Sequence, residues 1–257
     1  MSVVGLVHPG DMGAAVGRCL RQAGHTVLWA ATGRSPATAA RAAAADLTDV
    51  GTVAAIGAKA DVVLSICPPH AAVDTGREFG DFGGIFVDAN AVAPDTTRTV
   101  AGLVGGEFVD GGIVGLPPDG SGATRLYLSG PRAAEVAELF TGSDLDARVL
   151  PGAGIGAASA LKITYAAWTK GAQALLLDVR ELARAERVED ALLAEWALSQ
   201  PDLAGRSEQA AATATAKGWR WIGEMEEIAA TFDAHELPSG FHRAAAEVYR
   251  RRLRHGR

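Results

Sequence analysis

The residues Val3-Val4-Gly5-Leu6-Val7-His8-Pro9-Gly10-Asp11-Met12-Gly13 constrain the fold of this chain more than any other stretch. They read as a buried strand, a glycine turn and the first turn of a helix. Such a turn lets a pyrophosphate approach backbone N–H groups at a helix N-terminus, where the dipole favours negative charge and a Cβ would obstruct contact. Gly10 and Gly13 fall at the second and third positions of a G-x-G-x-x-G fingerprint, and His8 stands at the first. The context that the fingerprint needs is present. Helix-compatible residues run from Asp11 to Ala23, Gly24 ends them, and Thr26-Val27-Leu28-Trp29-Ala30 reads as the next strand. Dinucleotide binding is the expectation, with a purely structural strand-to-helix turn as the alternative; His8 either shapes the turn by packing or donates to a phosphate.

Short β-branched runs alternate with Ala-rich helical stretches as far as residue 150, the pattern of βαβ units. Strands are predicted at 3–7, 26–30, 61–66, 85–88, 107–110, 125–129 and 147–150. Beyond Gly152 the strand runs stop, and helices are predicted at 157–186, 189–199, 203–232 and 241–254. The fold class is therefore α/β: a Rossmann-type, mostly parallel sheet domain (1–152) followed by an all-helical domain (153–257) for substrate binding and dimerisation. Gln200-Pro201-Asp202 and Leu237-Pro238-Ser239-Gly240 mark helix junctions, with Asp202 and Ser239 placed as caps. The first long helix exceeds what one small domain covers, so it reads as the domain connector and a homodimer surface. In open α/β sheets the ligand crevice lies beyond the carboxyl ends of the strands, which gathers His8, Thr32, Arg34, Cys67, Pro68, Asn90 and Val114 at one edge.

A content of 48% hydrophobic and 21% charged residues in 257 suits a globular protein with a sizeable core. The net charge of −6 argues against nucleic acid or an anionic membrane as partner, and the basic cluster Arg250-Arg251-Arg252-Leu253-Arg254-His255 reads as a solvated last helical turn and tail. Cys19 and Cys67 form neither a metal-ligand spacing nor a disulfide framework, so no metal is expected. No apolar run reaches membrane-spanning length and no basic region precedes the first apolar residues, which leads to an expectation of a cytoplasmic protein with a small-molecule substrate.

The end of the second strand discriminates between nicotinamide cofactors. An NAD-selecting domain usually carries a carboxylate there for the ribose 2′-hydroxyl, whereas this chain has Ala31-Thr32-Gly33-Arg34-Ser35. A guanidinium flanked by hydroxyls favours a 2′-phosphate and hence NADP(H). The alternative is that Arg34 is a solvated loop residue and Ser35 a helix cap. The cofactor set is then His8, Pro9, Gly10, Asp11, Met12, Gly13, Thr32, Arg34, Ser35, Cys67, Pro68 and Asn90. Past the domain junction, Ser159, Lys162, Tyr165 or Ala166, and Thr169 share one helix face. Burial lowers a lysine pKa, which brings Lys162 into range for proton transfer; the alternative is that it snorkels to water.

Taken in order, Gly-Leu-Val-His-Pro-Gly-Asp-Met-Gly at 5–13, Arg21-Gln22-Ala23-Gly24-His25-Thr26-Val27, Val87-Asp88-Ala89-Asn90 with Pro94, Val109-Asp110-Gly111-Gly112 and the segment 156–162 resemble the β-hydroxyacid dehydrogenase superfamily. That superfamily contains 3-hydroxyisobutyrate and 6-phosphogluconate dehydrogenases and the imine reductases. The turn, the Ala-Ser-Ala-Leu-Lys helix start and Gly223-Glu224-Met225-Glu226-Glu227 are similar to a phosphogluconate-dehydrogenase-like subgroup with a short, distinctive C-terminal domain. The resemblance implies a Rossmann-type domain, a long interdomain helix, a homodimer, and Lys162 as the catalytic lysine of an NAD(P)-dependent dehydrogenase or reductase. It also implies substrate contacts at Asn90, Val114, Gly115 and Ser159, to which Tyr165 and Trp168 are added as candidate wall. Among the aromatics Tyr165, Trp168, Trp219, Trp221 and Phe232, most are expected in the core, with Lys170, Glu224 and His242 as polar groups nearby.

The chain departs from the family at Ala89-Asn90, at Val114-Gly115-Leu116 and at Ala166, positions that elsewhere hold a substrate carboxylate or orient the lysine. A standard 3-hydroxyacid bound in the standard way is not expected. The alternatives are imine reduction on the same scaffold, against which Lys162 argues, and a non-catalytic NADPH-binding sensor or scaffold.

Overall fold

The computed structural model describes residues 1–255, and the tail beyond the last helix, read above as solvated, lies outside them. Packing divides the chain into two units, Met1–Lys162 and Ile163–Arg257. The first unit runs β1 (Val3–Leu6), α1 (Asp11–Gln22), β2 (Thr26–Trp29), α2 (Pro36–Ala44), β3 (Thr48–Asp49), α3 (Val53–Gly57), β4 (Val62–Ser65), α4 (Ala72–Glu78), β5 (Ile85–Asp88), α5 (Pro94–Ala101), β6 (Glu107–Val114), β7 (Arg125–Ser129), α6 (Ala133–Glu138) and β8 (Asp146–Val149). Four helices follow: α7 (Ala157–Ala185), α8 (Glu189–Ser199), α9 (Leu203–Ala234) and α10 (Gly240–His255). No described helix is long and apolar enough to cross a membrane.

The strands form one sheet in the order β3-β2-β1-β4-β5-β6-β7-β8. All neighbours are parallel except β6 and β7. The order reverses between β1 and β4, and the glycine turn leaves β1 at that switch point. Alternate residues serve opposite layers: Val62 and Leu64 join the cluster containing Val16, Leu20 and Val87, whereas Val63 joins the one containing Ile56, Phe79 and Phe86. Strands buried on both faces read as continuous apolar runs, which is why β1, β4 and β5 are legible from sequence. The two-residue β3 was not expected, being too short for any periodicity.

β6 also extends four residues past its predicted end at Asp110. Gly111-Gly112 reads as a break, yet here it permits close packing. A Cβ on Gly112 would lie 2.5 Å from the carbonyl oxygen of Ala158 and 3.1 Å from Cβ of Lys162. The missing side chain lets α7 lie directly on the strand.

The expected domain boundary at 152/153 differs from the division seen, which falls inside α7 after Lys162. The reason is a buried polar joint. Asp110, fully buried on β6, accepts the backbone N–H groups of Gly156 (2.9 Å) and Ser159 (3.0 Å) and the hydroxyl of Ser129 (3.0 Å) on one oxygen. Its other oxygen accepts the hydroxyl of Ser159 at 2.6 Å. Ser129 in turn accepts the N–H of Ala158 at 3.1 Å. Three of the donors that a helix start leaves unpaired are thereby satisfied from the sheet, and the first turns of α7 belong to the sheet unit.

In the helical unit, Ile163, Leu177, Trp221, Met225, Ile228 and Tyr249 pack together, and the Tyr249 hydroxyl donates to the carbonyl of Lys170 at 2.7 Å. Asp202 stands before α9 but makes no side-chain cap bond, so that expected cap is absent. The basic cluster is not simply solvated: Arg251 pairs with Asp178 and Glu181, and Arg250 with Glu226 and Glu247.

The joint predicts a large cost for truncating its centre. Asp110→Ala strands buried N–H and hydroxyl donors and should lower stability by about 3 kcal/mol or more, measured by urea denaturation of the full chain. A loss under 1 kcal/mol would mean that water or backbone shifts replace the carboxyl group.

Candidate functional site

The carboxyl edge of the sheet collects the predicted cofactor residues. The turn after β1 is held by its own backbone: Gly10 N–H donates to the His8 carbonyl at 2.8 Å, and Ala14 N–H to the Gly10 carbonyl at 2.8 Å. A Cβ at Gly13 would lie 2.2 Å from the His8 carbonyl oxygen, so only glycine lets the turn close onto α1. At Gly10 a Cβ would meet nothing within 4 Å, and the start of α1 has no side-chain cap. Open space above uncapped N–H groups is the cradle that a pyrophosphate requires. Pro9 is buried beneath the turn, Met12 is half-buried, and Asp11 is exposed.

Two arginines close on this turn. Arg34 Nη2 reaches the Val7 carbonyl at 3.4 Å, and Arg41 Nε reaches the Pro9 carbonyl at 3.4 Å, so they bracket His8. Arg34 is thus folded back onto the turn and is not a solvated loop residue. Arg41, on an Ala-rich helix, was not anticipated; only its position one helix beyond the turn could have suggested it. Ser35 caps α2 by accepting the Thr38 N–H at 3.2 Å, the structural alternative named for it, and Thr32 is exposed.

His8 Nδ1 and Arg34 Nε are buried with no hydrogen-bond partner among the described residues. Burial, then the Arg34 guanidinium, hold the His8 imidazole down at about 4. The residues present therefore fit a dinucleotide: an open backbone cradle, a cationic flank and polar atoms awaiting a partner.

The strand ends beyond β4 and β5 are tied together. Asn90 Oδ1 accepts the Cys67 N–H at 2.5 Å, Asn90 Nδ2 donates to Ser65 Oγ at 3.1 Å, and the Asn90 N–H donates to Asp88 Oδ1 at 3.0 Å. Expected to touch ligand, the side chain of Asn90 instead fastens the two exits to each other. Cys67 is a buried thiol pushed up to about 11, chiefly by burial, so it is no nucleophile. Pro68 is exposed beside it. Ser159, another expected contact, is also occupied: it is 1% exposed, and its hydroxyl meets Asp110 and, at 2.8 Å, that of Thr97.

Lys162 lies on the second turn of α7, half-buried, with its Cβ against the Gly112 backbone. Gly112 is two residues past Asp110, whose register partner Asp88 ends β5, so Lys162 is carried at the carboxyl edge. Val114 is buried at the end of β6, and Gly115 adopts φ +124, with its would-be Cβ 3.0 Å from Thr124 Cα. Gly115 thus serves the turn, and Leu116 after it is exposed.

Of the five aromatics named from the sequence in the helical unit, three are exposed, against the expectation that most lie in the core. Trp168 is 70% exposed, Trp219 60% and Tyr165 48%, whereas Trp221 is buried. Phe232 is half-buried, its ring 4.3 Å from that of His242. Lys170 and Glu224 form a largely buried ion pair, with the ammonium 6.0 Å from the Trp221 ring.

Residues 183–252 match a family described as Domain of unknown function (DUF1932). An uncharacterized 28.5 kDa protein of Methanothermus fervidus is 30% identical over 135 residues, 52% of each chain, so the match spans about half the length of that curated relative. Among solved structures, a conserved protein of unknown function, described as structurally similar to 3-hydroxyacid dehydrogenases, is 27% identical with TM-score 0.72 over 98% of both chains. Mycobacterium tuberculosis 3-hydroxyisobutyrate dehydrogenase, solved with L-serine, is 19% identical with TM-score 0.72 over 99% of this chain and 94% of that one. The chain has the β-hydroxyacid dehydrogenase fold. The resemblance read from its motifs is borne out, as is the Rossmann-type sheet with a helical C-terminal region. The same fold, at TM-score 0.61 and 19% identity over 100% of this chain and 95% of that one, is found in an Aspergillus terreus reductive aminase in complex with NADPH and ethyl levulinate.

Within this β-hydroxyacid dehydrogenase fold, Asp88 is the group out of balance. It is 1% exposed, its Oδ2 has no hydrogen-bond partner among the described residues, and burial pushes its carboxyl group up to about 7. The folded protein therefore keeps a proton that the unfolded chain releases, and the stability this gives is full below about pH 4 and lost as pH rises through about 7. Asp88→Asn removes the loss. Its melting temperature should gain on wild type steadily between pH 4 and pH 8; a pH-independent difference would show that Asp88 does not titrate in that window.

Proposed function

We propose that this protein is an NADP(H)-dependent oxidoreductase that interconverts a small hydroxy compound and its oxo counterpart, with Lys162 as general acid or base. The reading is carried by one observation: the lysine is held on a helix locked to the same sheet edge that presents the glycine turn. The solved relatives of this fold include a 3-hydroxyisobutyrate dehydrogenase and an NADPH-bound reductase, which supports the class of reaction. Gly10 and Gly13 with the N-terminus of α1 would hold the pyrophosphate, and Arg34 and Arg41 supply the cationic flank for the cofactor's phosphates; a preference for NADP(H) is supported by the lack of a carboxylate at 30–35. When bound, the cofactor supplies or accepts a hydride at its nicotinamide ring. The task left to the chain is the proton: Lys162 Nζ delivers it to the alkoxide oxygen during reduction and removes it from the hydroxyl during oxidation.

The substrate departs from the common hydroxyacids. Val114 and Leu116 place apolar side chains where a carboxylate would seek hydroxyls and N–H groups, and Asn90 and Ser159 are already engaged. A carbonyl compound flanked by apolar groups fits these residues better than a 3-hydroxyacid. Reduction of a C=N bond is the second reading, supported by the reductive aminase of the same fold.

The test combines cofactor titration with one substitution. Fluorescence titration should give much tighter binding of NADPH than of NADH, and Lys162→Ala should keep that affinity while turnover in a carbonyl, imine and hydroxyacid screen falls by about 100- to 10,000-fold. No binding of either cofactor removes the enzyme reading, and full turnover in the variant removes the role of the lysine.

A homodimer is proposed from α7. Trp168, Leu175 and Leu182 are 70%, 60% and 63% exposed and recur every seven residues along a 29-residue helix about 43 Å long. Three large apolar side chains in one stripe are what a second copy of the same helix would cover. Light scattering should give twice the chain mass, and Leu175→Glu should give the monomer; a monomeric wild type would end the proposal.

A further inference from the structure

The proposed function leaves His8 without a defined part, although it occupies the position that the fingerprint reserves for its first glycine. A histidine there is not demanded by the turn. The backbone contacts that close it use the His8 carbonyl, which accepts from Gly10 and packs on Gly13, and would be made by any residue. The imidazole, in contrast, makes none: Nδ1 is buried and unbonded among the described residues, as is Arg34 Nε nearby. Two buried polar atoms without partners at one edge are costly unless a ligand completes them.

The surroundings define the ligand. Arg34 reaches the carbonyl before His8 and Arg41 the carbonyl after it, so two guanidinium groups are tied to the backbone on either side of His8, and the charge of Arg34 bears on the imidazole. The other charged group at this turn is Asp11 on α1, 3.6 Å from Arg41 and exposed, which offsets Arg41 in part; Arg34 has no carboxylate partner among the described residues. A cationic niche lined by an imidazole suits a phosphate, not a neutral sugar edge.

We infer that His8 and Arg34 hold one phosphate group of the dinucleotide between them, and that its binding draws a proton onto the imidazole. The inference rests on the cofactor reading above. In the ligand-free protein, burial and Arg34 keep the ring neutral at physiological pH. An anionic phosphate reverses the local field, so the charged ring becomes the favoured form and donates from the nitrogen that is now unbonded. The proton comes from solvent, and no bond in the cofactor changes. Affinity then rises as pH falls from 8 towards 6, in addition to any titration of the phosphate itself.

The experiment is isothermal titration calorimetry of the full chain at pH 6.5 in two buffers of different ionisation enthalpy, with NADPH and with NADH. Wild type should take up a fraction of a proton that His8→Gln does not, and the variant should bind about 10- to 100-fold more weakly. Uptake with NADPH alone places His8 at the 2′-phosphate, and uptake with both cofactors places it at the pyrophosphate. Equal proton uptake and equal affinity in wild type and variant overturn the inference while leaving the cofactor reading intact. Failure of wild type to bind either cofactor overturns both. His8→Asn, which keeps a short polar side chain, serves as the second variant if His8→Gln melts early; it should likewise lose the proton uptake, and retention of wild-type uptake would overturn the inference.

Discussion

The carboxyl group of Asp110 is the joint on which the proposed chemistry depends. Four hydrogen bonds converge on it, from Ser129 in the adjacent strand and from the first turns of α7. Burying a carboxylate is costly unless its acceptor capacity is met, and the N–H groups of a helix start are well suited to meet it because their dipole also favours negative charge. The bonds fix both the origin of α7 and its rotation about its own axis. Lys162, one turn further on, inherits that position, and Gly112 removes the side chain that would push it off the strand. Placement of the lysine is thus settled within the sheet unit.

The neighbouring carboxyl group behaves differently although it is the register partner of the first. Asp88 accepts the Asn90 backbone N–H on one oxygen, its other oxygen has no partner among the described residues, and burial raises it to about 7. Proximity to Asp110 adds to the raising but is not its main cause. Two aspartates on adjacent strands at the same depth therefore differ through donor count, with one built into a joint and the other poised to titrate. Asn90, which bonds to Asp88, Cys67 and Ser65, ties the ends of β4 and β5 to each other.

Much of this was legible in the sequence because it rests on local patterns. Alternation of apolar runs with Ala-rich stretches located seven of the eight strands, and the long stretches without proline located all four helices of the second part. The fingerprint at Gly10 and Gly13 and the guanidinium at Arg34 are likewise readable from spacing. The role of Asp110 is not legible in its motif, because it depends on donors from residues 129, 156 and 159, which no sequence window includes. Gly111-Gly112 looked like a break for a similar reason: whether a glycine ends a strand or lets a helix approach is decided by what packs on it. Arg41 was passed over since an arginine on an Ala-rich helix is ordinarily solvated. The family pattern points to Asn90 and Ser159 as ligand contacts, while their own hydrogen bonds serve the scaffold.

Charge distribution shows why a run of basic residues is a weaker sign of an anion site than two scattered arginines. The cluster at 250–254 is the densest positive stretch in the chain, yet Arg250 and Arg251 meet Glu226, Glu247, Asp178 and Glu181, and Arg254 meets Glu247. Charges paired at that density leave little field beyond a Debye length. Arg34 and Arg41 are far apart from any such run, and each donates to a backbone carbonyl at 3.4 Å, which orients the guanidinium without neutralising it; Asp11, exposed and 3.6 Å from Arg41, offsets that charge only in part. Added to the positive end of α1 and the open space at Gly10, they make the carboxyl edge locally positive in a chain of net charge −6. An anion is therefore drawn to the glycine turn by groups that the fold assembles from three separate segments, and the acidic remainder of the surface discourages polyanions from competing for it.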